Sequence, residues 1–212
     1  GPFPMWIPAI GTVMSIAMVF PIAAASTNFH ATAFKDIGKV WNNLPLRFVI
    51  FGTISYTISS YIGIIFSLPA VAKITQFSII NEFHFNQRVY GFFSMIIFGV
   101  VYYMLPRITG NNTCEKTASF HFWTSAFGVI ALLLAHLIGG LTHGVLAQQP
   151  ELSWAGSVIT AVKPYFLISE YAFIVLGISQ LVFVVNIWRS IVGPISFSFI
   201  ALSNDSAKES KS

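Results

Sequence analysis

Charge is what this sequence most lacks. Its 212 residues carry 11 Lys+Arg and 7 Asp+Glu, so 8% are charged, against roughly 25% in an ordinary soluble domain. Too few charges are present to coat a water-facing surface. Apolar residues make up 55%, with 21 Phe among them, and the mean hydropathy is +0.75. That much apolar material excludes disorder. Cysteine is equally scarce. A single Cys114 excludes an internal disulfide framework and a Cys-rich zinc or iron–sulfur site. The net charge of +4 is scattered, so nucleic acid finds no footing. No phosphate loop, nucleophile elbow or carboxylate pair is found. What is left is an all-α integral membrane protein.

The few charges divide the chain. None occurs from Gly1 to Phe34, from Phe48 to Ala72, from Val89 to Pro106, or from Thr117 to Pro150. Glu170 alone interrupts Pro164 to Trp188. Crossing the hydrocarbon core takes about 20 apolar residues in a helix. Five transmembrane helices are predicted, near 6–29, 47–69, 75–106, 118–147 and 163–189, forming one segment over 1–190. The runs are too long and too uniform for barrel strands. The polar end, 203–212, is expected to be a disordered cytoplasmic tail. Asn111-Asn112-Thr113 matches a glycosylation sequon, which matters only if that loop is lumenal. The first residue is Gly, so a processed, tagged or partial chain is expected. No basic stretch precedes the first apolar run, so no signal peptide is expected.

Lys and Arg near the span ends set orientation. One set of connections holds Lys35, Lys39, Arg47, Arg107, Lys116, Arg189, Lys208 and Lys211; the other holds Lys73, Arg88 and Lys163. Eight against three places the first set, and the C-terminus, inside.

Intramembrane polar groups need partners or a task. The densest cluster is Asn81-Glu82-Phe83-His84-Phe85-Asn86-Gln87-Arg88. It admits three readings: a wetted helix end, a buried network against other subunits, or a metal or haem ligand at His84. Glu170 either snorkels to the interface beside Lys163, pairs with a cation, or serves a proton path. His121 and His136 are fifteen residues apart, about 22 Å of rise, and cannot share a metal. His121, beside Phe120, Phe122 and Trp123, fits an interfacial aromatic belt. His136 and His143 lie two turns apart on one face, as satisfied interior histidines or facing a cofactor. His30 is expected at the interface. Gly128, Gly139 and Gly140 permit close helix approach or leave room for a flat cofactor.

Two strings carry a family resemblance: Tyr90-Gly91-Phe92-Phe93-Ser94-Met95 and Phe98-Gly99-Val100-Val101-Tyr102-Tyr103-Met104-Leu105-Pro106-Arg107. With His121-Phe122-Trp123 and Gly139-Gly140-Leu141-Thr142-His143-Gly144, they resemble catalytic subunit I of the haem-copper oxygen reductases. The cbb3-type branch is the nearest match, with nitric oxide reductases close by. The opening, Pro4-Met5-Trp6-Ile7-Pro8 through Ser15, resembles the segment after that family's copper-binding His pair. The resemblance runs from Gly1 to about Trp188 and implies the last five of twelve core helices. Its implied orientation agrees with the Lys/Arg count.

The resemblance implies a C-terminal half of a terminal respiratory oxidase subunit in a bacterial inner membrane. Such a protein reduces oxygen to water with electrons from cytochrome c and coupled proton translocation. It implies His84 as ligand to a high-spin haem b, copper bound by residues outside this chain, and partners that supply the N-terminal helices and c-type cytochromes. Three departures stand out. Asn86 occupies the family's second haem-ligand position, His143 a usual Gln, and Ser169 an Arg usual in the cbb3 branch. Asn86 and Ser169 favour a haem-free structural or assembly subunit as the competing reading. A nitric oxide reductase-like subunit is another, and a generic transporter a more distant one.

Overall fold

The computed structural model describes residues 4, 6–111, 113–152 and 154–209, with side chains through residue 192 except at 154 and 155. Among the described residues the chain is helical and without strands. Five helical stretches are long and apolar enough to cross a membrane: Trp6–Phe34, Leu44–Phe66, Ile80–Thr109, Glu115–Leu146 and Gly156–Val192. They are spans 1 to 5 below. The multi-pass, all-α fold expected from composition is what is found.

Local chemistry sets the span boundaries. Span 1 loosens at Met18, between helices Trp6–Ala17 and Val19–Phe34. Pro21 lies just beyond, with no N–H to donate and a ring that crowds the carbonyl of Ala17. Span 2 starts at a true cap: Asn43 Oδ1 accepts from Leu46 N–H at 3.1 Å, and Pro45 follows in the first turn. Span 3 begins at Ile80, five residues after the sequence reading places it. The short helix Pro69–Thr75 ends first, because Ser78 Oγ donates to Thr75 O and accepts from Ile80 N–H, competing with the helical ladder. Span 3 ends at Gly110, whose φ of 71° turns the chain out of the helix while its N–H bonds Pro106 O.

Span 4 is the hub. Its central window is 44% buried, against 6% for span 1. It packs along span 5 and crosses the start of span 3, while span 2 packs on span 3 and span 1 on span 2. The core has two clusters. Phe48, Met95, Phe98, Tyr102 and Phe122 join spans 2, 3 and 4. Val129, Leu132, Ala172 and Leu176 join spans 4 and 5. Glycines make these approaches possible. A Cβ at Gly128 would strike Leu176 at 2.8 Å, at Gly139 Tyr165 at 2.7 Å, and at Gly140 the backbone N of Ile80 at 2.6 Å. Gly144 faces the carbonyl of Ile74. Of the two uses open to these glycines, close packing is the one observed.

Past Asn86, span 3 widens into a π-helical segment, Gln87–Ser94. The backbone of the C-terminal end is helical to Glu209. Of the tail expected over 203–212, residues 210–212 lie outside the described residues. No Gly or Pro interrupts 195–209, and Ala, Lys and Glu there favour helix.

Gly144→Ala should loosen the docking of span 4 on the Pro69–Thr75 helix by about 1–3 kcal/mol, because backbone has to shift. Gly177→Ala, with nothing within 4 Å of the new Cβ, should be neutral or slightly stabilising. Thermal unfolding of the two purified variants side by side checks the contrast.

Candidate functional site

The polar cluster of span 3 splits between two sides of the helix. Residues two apart on a helix point some 200° apart, and His84 and Asn86 obey this. His84 faces span 2. Its ring stands edge-on to Phe66 at 5.2 Å and to Phe83 at 5.6 Å. A Cβ on Gly63 would sit 3.4 Å from its Cε1. His84 Nδ1 is buried without a hydrogen-bond partner. A cavity of about 680 Å³ opens between spans 1, 2 and 3, lined by Gly63, Tyr56, Ser59, Ser60 and Arg88 among others; His84 itself does not line it, and Gly63 is the residue shared with the His84 ring. Arg88 is one turn beyond His84 on the same face.

Asn86 faces span 4 and is buried. Its Nδ2 donates to Nδ1 of buried His136 at 3.2 Å, which leaves the imidazole proton on Nε2. Gln87, also buried, donates from Nε2 to Ser55 O of span 2 at 2.9 Å. Gly91 faces Ser55 Oγ and, farther off, Val129. It is filled against protein and does not border open space. Asn81, Glu82 and Arg88 are exposed, and Asn81 Nδ2 donates to Gln76 O at 3.2 Å. The cluster is therefore a wetted end at Asn81 and Glu82 and a packed network at Asn86 and Gln87.

The other sequence-flagged residues fall elsewhere. His121 is fully buried, which corrects the interfacial-belt reading. Its ring lies 4.7 Å from Phe98, 5.0 Å from Phe183 and 5.1 Å from Phe48, and Nδ1 meets Tyr102 Oη at 3.1 Å. Its neighbours Phe120 and Trp123 are the exposed belt residues. Helical periodicity explains the split: one residue turns the side chain by 100°, from lipid to core. His143 Nδ1 accepts from Ile79 N–H at 3.2 Å. His30 Nε2 meets Thr57 Oγ1 at 3.0 Å and is half-buried between spans 1 and 2. Ser169 is buried and donates to Tyr165 O at 2.9 Å. Glu170 is exposed. Among the described residues, no three His, Cys, Asp or Glu side chains come together as a metal cage.

Two features were beyond sequence reasoning. Gly63 and Phe66 of span 2 form the wall opposite His84. The Asn86–His136 bond joins residues fifty positions apart, with no local signal.

The geometry tests a haem at each position. At His84 the residues fit: an imidazole with an unspent buried nitrogen, a flanking glycine, Gly63, and the cation Arg88 one turn beyond. At Asn86 they do not, because the amide is a poor iron ligand and is already bonded to His136.

Asn86→Leu should cost about 1–3 kcal/mol by leaving His136 Nδ1 buried and unpaired. The double variant Asn86→Leu/His136→Leu should recover most of that loss, since both polar partners are then gone. Thermal midpoints of the single and double variants check this; equal midpoints would deny the bond a structural role.

The family described as "Cytochrome C and Quinol oxidase polypeptide I" matches residues 1–175. The chain is 21% identical to cytochrome c oxidase subunit 1 of Rhodobacter capsulatus over 195 residues, 89% of this chain and 37% of that protein. It is 20% identical to a cbb3-type cytochrome c oxidase subunit of Stutzerimonas stutzeri, covering 89% of this chain and 41% of the relative. It is 27% identical to cytochrome c oxidase polypeptide 1 of Halobacterium salinarum, covering 83% and 29%. The chain spans about two fifths or less of the length of these curated relatives.

Proposed function

The chain belongs to the cytochrome c and quinol oxidase polypeptide I family, and on that footing we propose that it forms the last five spans of an oxidase subunit I in which His84 holds haem iron. The observation that carries this reading is the buried, unpartnered Nδ1 of His84 on the side of span 3 that faces span 2. An imidazole held by Phe66 and Phe83 is fixed in orientation before any ligand arrives. His84 would hold haem iron through its imidazole, and the bound group would supply redox chemistry on a diatomic gas. Arg88 puts a cation on the same face for the group's acidic substituents.

The complete protein in this reading reduces oxygen to water with electrons from a c-type cytochrome and couples the reaction to proton translocation. Its relatives include a cbb3-type subunit. Copper ligands and the remaining helices come from outside residues 1–212, and the assembly lies in a bacterial inner membrane. One haem per chain is expected, in place of two, because Asn86 is committed to His136.

A haem-free structural subunit is the second reading, favoured by that same Asn86–His136 bond. Haem content separates the two. The purified assembly should contain one haem b per chain by pyridine haemochromogen assay. His84→Ala should remove it, while Asn86→Leu should not. Unchanged haem in an assembled His84→Ala variant would falsify the ligand assignment, and a haem-free wild type would establish the structural reading.

The Lys/Arg-rich ends face the cytoplasm in this reading. Cys114, in the connection from span 3 to span 4, is exposed. The Thr117 side-chain hydrogen bond, aided by backbone hydrogen bonds, holds its thiol below the ordinary cysteine pKa. A lowered pKa enlarges the thiolate fraction near neutral pH and speeds alkylation. An impermeant maleimide should leave Cys114 unmodified in intact cells and label it rapidly in opened ones. In opened cells, Thr117→Val should shift the half-maximal alkylation rate to higher pH. Labelling in intact cells would reverse the orientation.

A further inference from the structure

We propose that the crevice between the end of span 1, the helix Ile37–Asn42 and span 2 binds an anionic phospholipid, with its phosphate on Arg47 and one acyl chain in the crevice. The cavity measures about 250 Å³, and every side chain lining it is apolar except Arg47. Phe34, Ile37, Trp41 and Ile54 wall it, and Phe122 of span 4 closes the side. Several of these large apolar side chains are exposed: Phe34, Ile37 and Trp41 are each at least half open.

Arg47 is the only charge on this wall, and it is half-buried. Its Nε donates to Trp41 O at 2.8 Å. That bond fixes the guanidinium at the rim. Among the described residues its terminal nitrogens have no hydrogen-bond partner, and the single ion pair is Lys39–Asp36 at 2.7 Å. Asp36, the acid of this connection, is therefore taken. Lys35, Lys39 and Arg47 against Asp36 leave the rim with net positive charge.

A guanidinium beside hydrocarbon wants a bidentate anion. A phosphodiester at headgroup depth supplies it, and the acyl chain attached to it covers the apolar wall. Neither half alone meets both needs. A free phosphate leaves the crevice bare. A zwitterionic lipid brings a cation to an already positive rim. Basic pockets at the ends of transmembrane helices select anionic lipid on these grounds.

The test uses the chain purified from its own membrane with the polypeptides that accompany it, exchanged into nanodiscs holding equal phosphatidylglycerol and phosphatidylcholine. Retained lipid is counted by native mass spectrometry. Wild type should retain phosphatidylglycerol over phosphatidylcholine by about tenfold, the size expected for one charge-assisted contact. Arg47→Gln should abolish the preference. Ala33→Phe, which fills the crevice and spares Arg47, should retain neither lipid. Equal retention of both lipids by wild type overturns the proposal, as does an unchanged preference in Arg47→Gln. Complete displacement by millimolar inorganic phosphate would show a simple anion site, and cross-linking of a polypeptide into the crevice would show a protein occupant; either refutes the lipid. Should a variant fail to assemble, the wild-type preference alone decides.

Discussion

Hydrocarbon offers no water to a polar side chain, and this fold is organised around that constraint. A soluble helix can leave Asn or His facing solvent. A membrane helix must find each one a partner, a route to the interface, or a ligand. Span 3 meets the demand in three ways. Asn81 and Glu82 stay at the wet end. Asn86 and Gln87 reach across to His136 and to Ser55 O. His84 keeps a buried nitrogen unspent. The π-helical segment that follows suits the same demand, since its widened turn falls where the helix is squeezed between Ser55 of span 2 and Val129 of span 4.

The spans were legible because lack of charge is a long-range, additive signal. Twenty apolar residues in a row admit few outcomes. Span ends were less legible. The start of span 3 depends on one hydroxyl, Ser78 Oγ, taking over backbone partners. Pairing between spans was less legible still. Nothing near His136 in sequence announces Asn86, and nothing near His121 announces Phe48, Phe98 and Phe183. A run of aromatics at the start of span 4 looks like an interfacial belt whether or not its middle member turns inward. Only the neighbouring helices decide that His121 and Phe122 are core while Phe120 and Trp123 are exposed.

His84 illustrates the division most clearly. Sequence places it by the family strings and identifies Asn86 as a departure. It does not say that the two residues serve opposite sides of one helix. With the sides assigned, the departure acquires a physical meaning. Asn86 leaves no empty place, because an amide and an imidazole meet in a hydrogen bond in the low-dielectric interior, where such a bond is stronger and its absence more costly. That closure joins spans 3 and 4 and leaves the His84 side, against span 2, untouched. A helix with an amide at position 86 thus does not expose that group on its span 4 side. The side that retains an unsatisfied imidazole is the side on which a bound group would add stability, so any group bound at His84 and stability of the span 2–span 3 contact are expected to be linked.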